Sequence, residues 1–429
     1  MSNDTHQSAS DMPHIIFILV DDLGWNDVSY HGSEISTPFI DELATTGVRL
    51  DNYYVQAVCS PSRASILTGL YQSHTGIDRY LVSEEPGCLQ LQLPLIPASL
   101  RQNGYATHMV GKWHLGRSSN ACLPMGRGFD TFFGIYGALV DYFTHIVSKT
   151  GPTLSGHDFW DNGRAAKELV GQYSTHLYAK RAEEIIASHG NGTVKKPMFM
   201  YLAMQAPHYP LQVPKEYLTP YLKIKDPLRK DFAGMVACLD EAVKNVTMAL
   251  DKYGIRNNTV IIFSSDNGGI GKHGGSNKPL RGTKHLYYQG GIRVVGFVNS
   301  PLLSSKVKGT SYNGLLGAAD WYSTLVEGIA GGEMNVNQTD GYNMWDAIRF
   351  GSPSIRTEYL HTVGGNCNWT PTLPFRDRDP KNVPSMYGTI RHGPWKLMIG
   401  DQMQQKVSGN HDYLNGPNGV SLFNTDDDP

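Results

Sequence analysis

Four short apolar runs, each ending in residues that carry charge or can bind a metal, constrain this chain more than anything else in it. His14-Ile15-Ile16-Phe17-Ile18-Leu19-Val20 is a continuous apolar stretch and stops at Asp21-Asp22. That is the pattern of a strand buried on both faces. Residues 106–110 form a second run and lead into Gly111-Lys112-Trp113-His114. Residues 198–204 lead into Gln205-Ala206-Pro207-His208, and residues 259–264 into Ser265-Asp266-Asn267-Gly268-Gly269. Between the runs lie helical patterns. In 232–253 the positions Met235, Cys238, Leu239, Ala242, Val243, Val246, Ala249 and Leu250 recur at three- and four-residue spacing, with Gly254 placed to stop the helix. Residues 174–188 form a second amphipathic candidate. Strands alternating with helices predict an α/β fold around a mostly parallel sheet. Ligands bind such sheets beyond the carboxyl ends of the strands, where all four runs place their reactive residues.

Past about residue 350 the texture changes to Pro, Gly, Asn and Asp with short β-like pieces at 387–391 and 395–399. This predicts a catalytic α/β domain over 13–350 and a smaller domain on an antiparallel sheet over 351–429. A chain of 429 residues, 40% hydrophobic, can bury a sizeable core. Its formal charge of −2 argues against a dedicated binder of nucleic acid or membrane surfaces. No apolar run approaches the roughly 20 residues that span a bilayer. The polar opening, residues 1–12, shows no secretory signal.

One further string is chemically unusual: Cys59-Ser60-Pro61-Ser62-Arg63-Ala64-Ser65-Ile66-Leu67-Thr68-Gly69. Pro61 suits a first helical turn, Ser60 or Ser62 can cap it, and Gly69 can end it. Cys59 then sits at a helix N-terminus, which favours anions, and Arg63 adds a planar donor fork suited to oxyanions. Asp21, Asp22, Asp266 and Asn267 offer hard oxygen ligands, fit for Ca²⁺ or Mg²⁺. Lys112, His114, His208 and Lys284 supply the basic side. Each group alone has a plain structural reading: a buried thiol, a capping aspartate, a turn, a solvated lysine, a histidine on a carbonyl. Together at the ends of buried strands they point to a metal-assisted anion site.

The 59–69 string resembles the C-x-P-S-R-x-x-x-L-T-G signature of the type I sulfatases, position for position. The blocks Gly111-Lys112-Trp113-His114-Leu115-Gly116, Gln205-Ala206-Pro207-His208, Ser265-Asp266-Asn267-Gly268-Gly269, Pro279-Leu280-Arg281-Gly282-Thr283-Lys284 and Gly290-Gly291-Ile292-Arg293-Val294 follow in that family's order. The resemblance implies an alkaline-phosphatase-like sheet. It also implies oxidation of Cys59 to formylglycine by a formylglycine-generating enzyme, and one Ca²⁺ held by Asp21, Asp22, Asp266 and Asn267 together with the formylglycine oxygen.

In the implied mechanism, the hydrated aldehyde attacks sulfur with Asp266 as base and forms a covalent sulfate. Lys284 and His208 stabilise or protonate the leaving oxygen, and His114 deprotonates the second hydroxyl so that sulfate leaves. Arg63 orients the hydrate, while Lys112, His208 and Lys284 bind the sulfate ester. Three aspartates at about −3, Ca²⁺ and three fixed cations at about +3 leave a cationic pocket for a sulfate monoanion.

Within the family the chain is similar to the arylsulfatase B branch, through Arg127-Gly128-Phe129-Asp130-Thr131-Phe132-Phe133-Gly134, Asp141-Tyr142-Phe143-Thr144-His145 and His208-Tyr209-Pro210-Leu211-Gln212-Val213-Pro214. This implies galactosamine 4-sulfate in chondroitin or dermatan sulfate, or an aryl sulfate, as substrate. It also implies a Cys88–Cys122 disulfide. Cys238 reads as a core thiol, and Cys367 as a cysteine whose partner lies further along in relatives. Sequons at Asn3, Asn191, Asn245, Asn257, Asn337 and Asn368 favour a lysosomal or secreted glycoprotein; Asn245 falls off its helix's apolar stripe and is expected exposed. Two departures stand out. His285 follows the lysine where relatives often have a small or apolar residue, and the chain stops at Pro429 where relatives continue. The alternatives are a sulfatase of another substrate specificity, a phosphoryl-transfer enzyme, against which the cysteine string counts, and an unmodified, inactive sulfated-glycan binder.

Overall fold

The computed structural model describes residues 12–82, 86–147, 155–334, 339–365, 386–399 and 420–427. Its main sheet has ten strands, in the spatial order Thr310–Tyr312, Val48–Leu50, Gly296–Asn299, Thr259–Ser265, His14–Val20, Met198–Ala203, Ala106–Lys112, Thr131–Ile135, Trp160–Asp161 and Arg164–Ala165. The four expected strands are four adjacent neighbours, all parallel, with Ile16 level with both Met200 and Ile261. Alternate residues of His14–Val20 enter two different cores. Ile16, Ile18 and Val20 pack on one face, and Ile15, Phe17 and Leu19 on the other, all fully buried. Each such side chain contributes roughly 1.5–3 kcal/mol, which is why the run is apolar without interruption.

Thr131–Ile135 extends the parallel set beside Ala106–Lys112. Its Gly134 permits close pairing, because a Cβ there would lie 2.1 Å from the Gly111 carbonyl oxygen. The sheet is mixed at its margins: Gly296–Asn299 runs antiparallel to Thr259–Ser265, and Trp160–Asp161 antiparallel to Thr131–Ile135.

The helix expected over 232–253 runs Pro227–Lys252. It starts five residues early because Asp226 caps it, its carboxylate accepting Leu228 N–H at 3.0 Å, and Pro227 fits the first turn. Ser174–Gly190 packs beside it over the core that holds Ile16 and Ile18, and Cys238 is buried there. The Cys59–Thr68 helix contributes Ala64, Ile66 and Leu67 to the opposite core.

A separate four-stranded antiparallel sheet joins Glu358–Gly365, Met386–His392, Trp395–Ile399 and Val420–Asn424 in that order. The expected pieces at 387–391 and 395–399 are its two middle strands. Tyr359 and Met398 pack it against Tyr54, Tyr287 and Ile292 of the main body.

Cys88 and Cys122 form the disulfide that the resemblance implied. Asn191 and Asn257 are exposed, whereas Asn245 is half-buried, closer to its helix's packed side than expected. Cys367 and the sequons at Asn3, Asn337 and Asn368 lie outside the described residues. No helix among the described residues is long and apolar enough to cross a membrane.

Candidate active site

The four central strands deliver their reactive residues to one edge of the sheet. Asp21 and Asp22 follow Val20, Lys112 ends its strand, and Asp266 and Asn267 follow Ser265. Asp22 and His114 take positive φ, 66° and 59°, so the chain turns sharply as each strand ends. Cys59 is the first residue of the Cys59–Thr68 helix, which extended Val58 precedes and left-handed Gly69 terminates. Ser60 and Ser62 do not cap it. Ser62 Oγ accepts from Gln56 N–H and donates to the Gln56 and Val58 carbonyls. Ser60 Oγ donates to the His114 carbonyl at 2.8 Å, tying the helix to the His114 turn.

The ten expected site residues meet, all of them buried. Arg63 donates from Nε and Nη2 to Asp266 Oδ2 at 3.1 and 2.8 Å, and from Nη1 to the Lys112 carbonyl at 2.8 Å. Its fork therefore grips a carboxylate of the site and is not left open for an oxyanion. Lys112 Nζ lies 2.5 Å from Asp21 Oδ2, and Lys284 Nζ lies 2.5 Å from Asp22 Oδ1. Asn267 Nδ2 donates to Asp22 Oδ1 at 2.7 Å. His208 Nε2 stands 3.7 Å from Asp22 Oδ2.

Each carboxylate thus gives one oxygen to a basic partner; of the others, Asp266 Oδ1 accepts from Asp22 N–H at 3.3 Å and Asp22 Oδ2 faces His208. Asp21 Oδ1 and Asn267 Oδ1 are buried without a hydrogen-bond partner. Ligand atoms of Asp21, Cys59 and Asp266 lie within 4.8 Å of one another, as do those of Asp21, Asp22 and His208. Unpartnered hard oxygens on a buried acidic cluster fit a Ca²⁺-class cation.

The protonation states follow from burial and these pairs. Burial raises Asp21, but Lys112, His208, Arg63 and Lys284 outweigh it and hold the carboxyl well below its usual range. Burial and neighbouring Asp21 push Asp266 up to about 7 in spite of Arg63. Lys284 is held above the usual lysine value because Asp22 overrides its burial. Burial, helped by Lys112 and Arg63, drives His114 well below neutral; burial brings His208 down to about 4. Burial also pushes the Cys59 thiol up. His114 Nε2 donates to the Leu81 carbonyl at 2.8 Å, so its unpartnered Nδ1 keeps a lone pair. His208 Nδ1 is 2.5 Å from the Tyr209 carbonyl, which leaves Nε2 as the acceptor.

Several supporting residues carried no role in the sequence reading. Tyr142 Oη donates to the Gln205 and His208 carbonyls and so braces the turn that carries His208. Its only sequence signal was membership of the 141–145 block. Asn277 clasps Gly269, accepting from its N–H and donating to its carbonyl, next to the Asp266-Asn267 turn. A lone Asn in a glycine-rich loop gives no hint of this. His285 sits at φ 77° with its N–H on the Ala57 carbonyl, half-buried beside Tyr80.

A parallel sheet whose carboxyl edge gathers a cysteine, three aspartates and five basic side chains defines a narrow class of site. The Sulfatase family model matches residues 13–329, and the chain belongs to the sulfatase family. Mouse (Mus musculus) arylsulfatase J is 45% identical over 92% of this chain and 65% of its own length. Rat (Rattus norvegicus) N-acetylgalactosamine-6-sulfatase is 31% identical over 66% of this chain and 55% of its own. The chain therefore spans less than two thirds of these relatives. Among solved structures, that of Ps i-CgsB in complex with k-i-k-neocarrahexaose superposes with a TM-score of 0.80 at 30% identity, covering 97% of this chain and 87% of that one.

Proposed function

We propose that this protein hydrolyses sulfate esters, that position 59 acts after a maturation enzyme oxidises Cys59 to formylglycine, and that its substrate is galactosamine 4-sulfate in chondroitin or dermatan sulfate. One observation carries the reading: Cys59 shares a buried centre with Asp21 and Asp266, ringed by Arg63, Lys112 and Lys284. A thiol whose ionisation is suppressed by burial is a poor nucleophile. A hydrated aldehyde at that position supplies two hydroxyls, one to attack sulfur and one to release the product. Ca²⁺ held by Asp21, Asp22, Asp266 and Asn267 would supply positive charge beside the reacting oxygens.

The remaining chemistry falls to the side chains. Asp266, beside Cys59 in the buried centre, is placed to accept the proton of the attacking hydroxyl. Lys112 and Lys284 hold the sulfate oxygens. Lys284 stays protonated through Asp22 and donates to the leaving oxygen. His208 is neutral at pH 7, so in this reading it accepts a substrate hydrogen bond, and Lys284 is the proton donor. His114, neutral with a free Nδ1, takes the proton of the second hydroxyl. Arg63 fixes Asp266 and offsets its charge.

The 4-sulfate preference rests on the arylsulfatase B-like blocks. The relative named for N-acetylgalactosamine 6-sulfate supports a 6-sulfate as second reading. The disulfide and the exposed Asn191 and Asn257 support a lysosomal or secreted site, and the separate four-stranded sheet supports the division near residue 350. Two measurements test the reading. Mass spectrometry of the peptide spanning Cys59 in natively produced protein should show the aldehyde, and an intact thiol there points to a glycan binder. Sulfate release from defined chondroitin 4- and 6-sulfate oligosaccharides, with matched phosphate esters, separates the substrate classes. Release from the phosphate esters alone overturns the proposal.

A further inference from the structure

The small antiparallel sheet buries cations against the main body. Arg391 and Lys396 stand directly opposite one another on adjacent strands, level with Tyr359, and both are at most 4% exposed. Like charges facing across a strand pair repel, and burying them costs more. Both reach into the main body. Arg391 donates to Tyr54 Oη and Asn52 Oδ1, and Lys396 Nζ donates to the Tyr287 carbonyl.

Tyr287 directly follows the turn 283–286, closed by Leu286 N–H on the Thr283 carbonyl, with Lys284 and His285 at its centre. The same turn is tied to the Asp266 loop by Thr283 Oγ1 on the Gly269 carbonyl at 2.7 Å, and to the Cys59 approach by His285 N–H on the Ala57 carbonyl at 2.8 Å. Next along, Tyr288 is edge-on to Phe423 of the small sheet, with Arg281 over its ring. Burial and Arg391 bring the Lys396 ammonium down to about 7, and both its protonation states retain an N–H for the carbonyl.

We propose that Lys396 is a positioning residue for the reaction: from the small sheet it holds the Tyr287 carbonyl, and through it keeps Lys284 where it can serve the leaving oxygen. The inference rests on the hydrolytic reading above and assigns the small sheet a part in catalysis. Lys396→Met should lower kcat on a sugar sulfate by roughly 10²-fold, the scale of a misplacement of about 1 Å. On 4-nitrophenyl sulfate, whose leaving group departs without a proton, the loss should be several-fold smaller. Lys396→Arg should recover most of the activity. Phe423→Ala, which removes the ring against Tyr288 from the position directly opposite Lys396, should show the same substrate dependence in milder form, and it serves should Lys396→Met not fold.

Hydrogen exchange over 283–291 in the same variants reads the hold on the turn without any turnover and should quicken, while the central strands stay unchanged. Equal losses on both substrates, or unchanged exchange over 283–291, overturn the inference. A loosened turn in a protein whose wild type cleaves no sulfate ester overturns the hydrolytic reading and leaves the mechanical one standing.

Discussion

Arg63→Met is the sharpest test of how the site is held. The guanidinium is fully buried and makes three hydrogen bonds, two to Asp266 Oδ2 and one to the Lys112 carbonyl; Nη2 also lies 3.7 Å from Asp21 Oδ2. Methionine fills much of the same volume, so packing changes little and the polar loss dominates. Breaking one side of a buried ion pair costs about 3–5 kcal/mol, because the other charge stays buried and unpaired. An unfolding entropy of about 2.1 cal/mol/K per residue gives about 0.9 kcal/mol/K for a chain of 429 residues melting as one unit. The expected fall in melting temperature is therefore about 3–6 °C. Scanning calorimetry with and without Ca²⁺ measures it, and sulfate release should drop by orders of magnitude when normalised to the fraction of position 59 carrying the aldehyde. Arg63→Lys should also fail, since one ammonium cannot span Asp266 and the Lys112 carbonyl together. A methionine variant that melts within about 1 °C of wild type and keeps its turnover would refute the account of the site's electrostatics.

Four other outcomes follow from the same geometry. Ca²⁺ at a hundred times its dissociation constant should stabilise the protein by about 2.7 kcal/mol, and Asp21→Asn or Asp22→Asn should abolish the shift seen in calorimetry. His14 and His108 are held down to about 4 by burial and by His189, below an unfolded value near 6.5. The unfolded chain thus binds more protons between those values, so stability falls as pH drops from about 6.5 to 4; His108→Gln should flatten the slope in urea titrations. Asp240 has the opposite sign: burial pushes it up to about 7, so its contribution weakens as pH rises from about 4 to 7, and Asp240→Asn should gain on wild type over that window. Reducing Cys88–Cys122, which closes a loop across 34 positions, should cost about 3–4 kcal/mol by the chain-entropy estimate and be read as a lower denaturation midpoint.

The central strands were legible because burial on both faces demands unbroken apolar runs, and only the sheet's middle imposes that demand. Its margins do not: Trp160–Asp161 and Arg164–Ala165 are two residues each and carry no period. The site residues were legible as types at strand ends, yet their pairing was not. Arg63 meets Asp266 across 203 positions, and Lys284 meets Asp22 across 262. Local sequence could not say that Arg63 would serve a carboxylate before an oxyanion. Protonation was hidden for the same reason. His208 is neutral because the assembled fold buries it, while Asp22 secures the charge of Lys284, which is why the proposed reaction gives the role of acid to Lys284.

The small sheet inverts the usual reading altogether. Alternation in Trp395-Lys396-Leu397-Met398-Ile399 would turn Trp395, Leu397 and Ile399 inward and leave Lys396 to solvent. Instead Trp395 is 50% exposed, while Lys396 and Met398 are 2% and 3% exposed against the main body. A strand that hides its lysine and shows its tryptophan is not arranged for burial alone. The register that puts Met398 into the cluster with Tyr54 and Tyr287 also puts Lys396 on the Tyr287 carbonyl, and a one-residue slip would lose both. The packing of the sheet and the hold on the Lys284 turn are therefore one constraint, and a change that shifts that register should lower stability and turnover together.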